Sequence, residues 1–176
     1  MERRRPIVGV MGSGAQPHEA RAREVGALVA SAGANLLTGG GGGVMASVSR
    51  AFAEHPGRLG VVIGVLPCDP ADPLCRPRPG YPNPWVEVAI ATHLPFSGMS
   101  GREPLSRNHI NVLSCQAILV LPGGSGTASE ARLALRYEKP ILAYLDRDEM
   151  PQLPEEIPAT TDFAAVRDFL DRALAP

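Results

Sequence analysis

Ala117-Ile118-Leu119-Val120-Leu121-Pro122-Gly123-Gly124-Ser125-Gly126-Thr127 runs from five apolar residues into a glycine-rich turn, and a helical pattern follows to about Tyr137. The apolar run has the length of a strand buried on both faces. Its glycines let the chain turn tightly and let backbone approach a ligand without a Cβ in the way. A helix after such a turn presents unpaired N–H groups and its positive dipole end, which together bind anions. Thr127 can cap this helix or donate its hydroxyl to a phosphate. Glu130, expected in the first turn, either faces the same ligand or closes a capping box, Thr127-x-x-Glu130.

The same unit recurs outward from this stretch. Pro6 to Met11 is apolar and breaks at Gly12-Ser13-Gly14; a helix over 18–32 follows, with Val25, Leu28 and Val29 at helical spacing and Gly33 beyond its end. A strand over 35–38 leads into Gly39 to Gly43 and a helix over 44–53. Further strands are expected over 59–66, 86–90 and 140–145. Helices are expected over 104–113 and 163–174, the last capped by Thr161 or Asp162. Residues 67–84 hold so many prolines that no central strand or helix can form there. Strands alternating with helices predict one α/β domain over residues 1–176, a Rossmann-like, doubly wound and mainly parallel sheet with helices on both faces. Its ligand site belongs at the carboxyl ends of the strands. Gly39 to Gly43 reads either as a second phosphate cradle or as a flexible turn.

Composition excludes several alternatives. Among 176 residues, 17 basic side chains balance 18 acidic ones, for a net charge of −1, which speaks against a nucleic-acid footprint. Aromatic residues are only 5%, too few for a base-stacking platform. No apolar run approaches the ~18 residues of a membrane span. Arg3 to Arg5 are followed by an apolar stretch too short for an export signal. Cys68, Cys75 and Cys115 form no C-x-x-C pair and read as reduced thiols of a cytoplasmic protein.

Familiar chemistries fail on particular residues. In Gly12-Ser13-Gly14 the third glycine of a dinucleotide fingerprint is replaced by Pro17, and no acidic residue ends the second strand. Lys139 is the only lysine, and it follows Glu138 rather than a glycine, which excludes a P-loop. His18, His55, His93 and His109 show no metal-ligand spacing. Ser125 sits in a near match to a nucleophile elbow, but Thr127 replaces its last glycine and no histidine follows His109. Neither metal nor organic cofactor is expected.

Pro122-Gly123-Gly124-Ser125-Gly126-Thr127-Ala128-Ser129-Glu130 resembles the PGGxGTxxE signature of the Lonely Guy (LOG) proteins, a superfamily also labelled "possible lysine decarboxylase". Gly39 to Gly43 with Val44 and Met45 resembles that family's other glycine-rich segment, and Arg107 stands where the family has its catalytic arginine. The chain departs from LOG enzymes in carrying Asn108 for a lysine and Gln116 for an aspartate. Arg107-Asn108 resembles instead the branch that contains molybdenum-cofactor carriers, although Ala46 replaces that branch's acidic residue.

The resemblance implies hydrolysis of the N-glycosidic bond of a nucleoside 5′-monophosphate, with Glu130 and Arg107 catalytic. Gly123, Gly124, Ser125, Gly126 and Thr127 would hold the phosphate, with Asn108 beside them. Gly12, Ser13, Gly40, Gly41, Gly42, Gly43 and Met45 would form the opposite wall. The alternative is a carrier or sensor that binds a pterin cofactor or nucleotide without turnover. The implied partners are a phosphorylated small molecule and a second copy of the chain, with no membrane and no nucleic acid. Lysine decarboxylation is rejected: it needs a Schiff-base lysine, and Lys139 lies at the wrong end of the expected sheet.

Overall fold

Along Ala117–Val120 (β5) every side chain is buried, Ala117 and Leu119 in one apolar cluster, Ile118 and Val120 in another. Such a strand needs partners on both edges and helices over both faces. The computed structural model, which describes residues 4–175, supplies both. Arg3 lies outside the described residues. The other strands are β1 (Ile7–Met11), β2 (Asn35–Thr38), β3 (Val62–Leu66), β4 (Val88–Ala91), β6 (Ile141–Tyr144) and β7 (Ala159–Thr160). They form one sheet in the order β4-β3-β2-β1-β5-β6-β7, and each neighbouring pair is parallel. The sheet expected to be mainly parallel is parallel throughout.

The helices are α1 (Glu19–Ser31), α2 (Val44–Ala53), α3 (Asn108–Leu113), α4 (Ser125–Arg136) and α5 (Phe163–Leu174). Val25 and Val29 of α1, Val48 and Phe52 of α2, and Val166 and Leu170 of α5 pack with Val8, Val10 and Leu36 on one face. Val112 of α3 and Ala128 and Ala131 of α4 pack with Leu37, Val65 and Ile118 on the other. Asp162 caps α5 by accepting from the Ala164 N–H at 2.9 Å. Among the described residues no helix is long and apolar enough to cross a membrane.

Several boundaries differ from expectation. The strand expected from residue 59 begins at Val62, with Leu59 70% exposed. The strand expected over 86–90 is shifted to Val88–Ala91. The helix expected from about Pro104 starts only at Asn108, because the Leu105 carbonyl accepts from the Phe96 N–H (3.3 Å) and the Ser106 hydroxyl takes the Asn108 N–H (3.1 Å). Arg107 therefore caps α3 rather than lying within it. The two-residue β7 is too short to have left a periodic signal.

Candidate functional site

Strand order reverses between β1 and β5, where the loops leaving the two strands part and leave a crevice. The Ser13 N–H donates to the Pro122 carbonyl (3.0 Å), and the Ser13 carbonyl accepts from the Val44 N–H (2.8 Å). The loop after β1 is thus tied to both glycine-rich loops. Between them lies a cavity of about 410 Å3. Gly12, Ser13, Met45, Arg107, Asn108, Gly124, Ser125, Gly126, Thr127 and Glu130 line it, joined by Gly14, Ala15, Tyr81, Ser97 and Gly98. Two roomier hollows, of about 620 and 820 Å3, lie between α1 and α5 and at the amino ends of the strands, away from the glycine-rich loops after β1, β2 and β5.

The structure corrects the sequence reading at both glycine-rich loops and at the start of α4. Gly40, Gly41, Gly42 and Gly43 do not line the cavity. The Gly40 and Gly41 carbonyls are held by Asn83, through its N–H (2.7 Å) and its Nδ2 (2.9 Å). Gly43 has φ +58°, and a Cβ there would run into the Ser13 carbonyl, so it serves the turn. Gly123, in the other loop, does not line the cavity either, and a Cβ there would run into Thr127 and the Ser13 N–H. Helix α4 begins at Ser125, two residues early, so Thr127 is inside the helix, Glu130 is beyond its first turn, and no capping box forms. Lys139 is, as expected, at the opposite end of the sheet, where its Nζ donates to the Leu113 (2.9 Å) and Cys115 (2.8 Å) carbonyls.

The first intrahelical bond of α4 runs from the Ala128 N–H to the Gly124 carbonyl at 3.0 Å. The N–H groups of Ser125, Gly126 and Thr127 precede it and carry the positive dipole end to the cavity wall. Asn108 is 2% exposed, lines the cavity, and its side-chain amide has no protein partner among the described residues. Arg107 is also buried, and its Nη1 donates to the carbonyls of Gly39 (2.6 Å) and Val65. Its guanidinium lies 5.7 Å from the ring centroid of Tyr81. Burial pushes the Arg107 pKa down, while Glu130 and Tyr81 act in the opposite sense.

Glu130 is buried at the cavity floor, and its Oε1 accepts from Asn111 Nδ2 at 2.7 Å. Burial raises its pKa above the ordinary glutamate value; the Arg107 charge and the Asn111 hydrogen bond pull it back. An ionisable carboxyl at a cavity floor, a guanidinium beside it and free N–H groups facing it can bind a phosphate and stabilise positive charge on the rest of the ligand. Tyr81, Ser97, Gly98, Asn83 and Asn111 were not identified individually from sequence. Asn83, Tyr81, Ser97 and Gly98 lie in irregular loops without periodicity, and Asn111 falls on an ordinary helical face. Among the described residues no cluster of three or more His, Cys, Asp or Glu is placed to hold a metal ion.

The fold has counterparts in known proteins. The molybdenum cofactor binding protein of Rippkaea orientalis is 29% identical, with a TM-score of 0.73 over 98% of this chain and 99% of that one. The molybdenum cofactor carrier protein of Chlamydomonas reinhardtii is 28% identical, with a TM-score of 0.69 over 98% and 100%. An uncharacterised protein of Archaeoglobus fulgidus is 34% identical over 134 residues, 75% of each chain. DNA processing protein A of Helicobacter pylori, described as binding single-stranded DNA, has a TM-score of 0.65 at 16% identity over 95% and 80%. That last likeness is one of fold alone, and it leaves the expected absence of a nucleic-acid partner without support from the fold. Residues 5–168 match the SLOG cluster4 family model, and the chain belongs to that family of LOG-like proteins.

Proposed function

We propose that the switch-point cavity binds a nucleoside 5′-monophosphate and that Glu130 promotes hydrolysis of its N-glycosidic bond, giving free base and ribose 5-phosphate. The observation that carries this reading is the Glu130 carboxyl, buried and facing the same cavity as the free N–H groups of α4. The phosphate sits on the N–H groups of Ser125, Gly126 and Thr127, with Gly124 leaving room for it. The ribose then lies toward Glu130, whose charge stabilises the oxocarbenium-like transition state and orients the attacking water. Asn108 reads a polar group of the ligand, and Gly12, Ser13 and Met45 form the facing wall. Arg107 supplies the positive charge beside Glu130 while bracing the ends of β2 and β3 through Gly39 and Val65. No cofactor or metal takes part.

In this reading the chain works as one cytoplasmic domain paired with a second copy, without nucleic acid or membrane. Leu105 and Leu113, exposed by 54% and 50% around α3, support that pairing. The test is incubation with a panel of nucleoside monophosphates, with free base followed by chromatography. Binding without any release of base sinks the hydrolase.

A second reading is favoured by the similarity to the two molybdenum-cofactor proteins over nearly the whole chain and by Asn108 in place of a lysine. Here the same N–H groups hold the phosphate of a pterin cofactor and Glu130 binds without turnover. Retention of a pterin phosphate through gel filtration, with no base released from any nucleotide, selects it.

A further inference from the structure

Asn111 is completely buried where α3 packs on α4, and its Nδ2 makes the only protein hydrogen bond to the Glu130 carboxyl among the described residues. It does not line the cavity, so it acts on a ligand only through Glu130. Its own Oδ1 has no partner among the described residues. A buried amide that leaves its acceptor unmatched is a poor choice for packing alone, since an apolar side chain of similar volume would fill the same space without that penalty. We propose that Asn111 is a positioning residue: it pins Oε1 of Glu130 so that Oε2 faces the cavity, and its N–H favours the carboxylate over the acid. The proposal deepens the hydrolase reading and rests on it only for the effect on turnover.

The groups that face Glu130 are few. Arg107 precedes α3, with the Tyr81 phenol behind its guanidinium, and Cys115 follows α3. Burial pushes the Cys115 thiol up to about 12, so it stays neutral when Glu130 titrates. Arg107 remains charged across the same range. Removing the Asn111 donor therefore leaves burial opposed by Arg107 alone, and the Glu130 midpoint moves up. An aspartate at the same place adds a second carboxylate and moves it further.

The test is a carbon-13 NMR titration of the Glu130 carboxyl in the full, ligand-free chain, with Glu130→Gln assigning the resonance. Asn111→Leu and Asn111→Asp are both expected to raise the midpoint, Asn111→Asp by more. An unchanged midpoint in either variant with a native-like spectrum overturns the proposal. Loss of the fold in both variants also overturns it, in favour of a packing role. In turnover, kcat should fall by about a hundredfold, the scale of a ~1 Å misplacement. Ligand affinity should hold, and the acid limb of the pH profile should move up with the titration. A rise in KM alone overturns the positioning role. Absence of cleavage by the unaltered protein refutes the hydrolase instead, and the titration still decides Asn111.

Discussion

Gly39–Gly43 after β2 turns its carbonyls inward: Gly39 accepts from Arg107, and Gly40 and Gly41 accept from Asn83. Its N–H groups are also engaged in part, Gly40 with Thr38 Oγ1 (3.1 Å) and Gly41 with Met45 Sδ (3.4 Å). Gly123–Gly126 after β5 has the opposite polarity, with the first N–H groups of α4 open at the cavity wall. Glycine content alone does not make an anion cradle; the direction of the peptide planes does. One loop is bracing and the other faces the ligand, although both follow a parallel strand and precede a helix.

Four substitutions and one pH profile can break or sharpen that contrast. The largest effect belongs to Glu130, on the helix that follows the ligand-facing loop. Glu130→Gln should lower base release by ~10²–10⁴-fold with ligand affinity nearly unchanged. No capping box is lost, so its thermal stability near neutral pH should not fall. A variant that still cleaves at the original rate removes Glu130 from the chemistry.

Next comes Arg107, which serves the bracing loop. Arg107→Ala leaves the Gly39 and Val65 carbonyls without this donor and should cost about 3 kcal/mol in urea unfolding. If stability is untouched and only ligand affinity falls, the bracing role is wrong. Gly43→Ala forces a Cβ onto the Ser13 carbonyl at φ +58° and should cost ~1–3 kcal/mol, measured in the same way. Gly124→Ala should behave differently, because an added Cβ there meets no protein atom within 4 Å. Its melting temperature should match the unaltered protein in plain buffer. It should lose most of the stabilisation that excess nucleoside monophosphate confers, since a methyl group there intrudes on the phosphate. Equal behaviour of the two glycine variants would erase the distinction between the loops.

The smallest effect is in the pH dependence of stability. Burial raises the Glu130 pKa in the folded chain, so between its ordinary value of about 4.3 and the raised one the folded state binds the extra proton. Its contribution to stability is therefore greatest at low pH and declines as pH rises through that window. Glu130→Gln should flatten this slope in thermal melts taken from about pH 4.5 upward. A slope that survives the substitution must come from other groups.

The parallel α/β order was legible because short apolar runs ending in glycine turns recur between amphipathic stretches, and that periodicity is local. A cap for α5 at Thr161 or Asp162 was legible for the same reason, and the structure selects Asp162; the strand and turn that lead into α4 were legible too. The start of α3 was not, because Phe96 takes the Leu105 carbonyl from a distant loop. Thr127 and Glu130 looked equally like a capping box and a site, and only the helix start at Ser125 separates the two.

By itself, then, the sequence determined which segments form six of the seven strands, which turns carry glycine, and that a carboxyl lies a few residues beyond one of them. Tertiary structure alone decided that the two glycine loops differ, that Arg107 braces carbonyls, and that Asn111 reaches Glu130. Periodicity and turn chemistry act between neighbours along the chain. The direction of a carbonyl or the partner of a buried amide depends on residues 19 to 68 positions away, brought together only when the sheet closes around them.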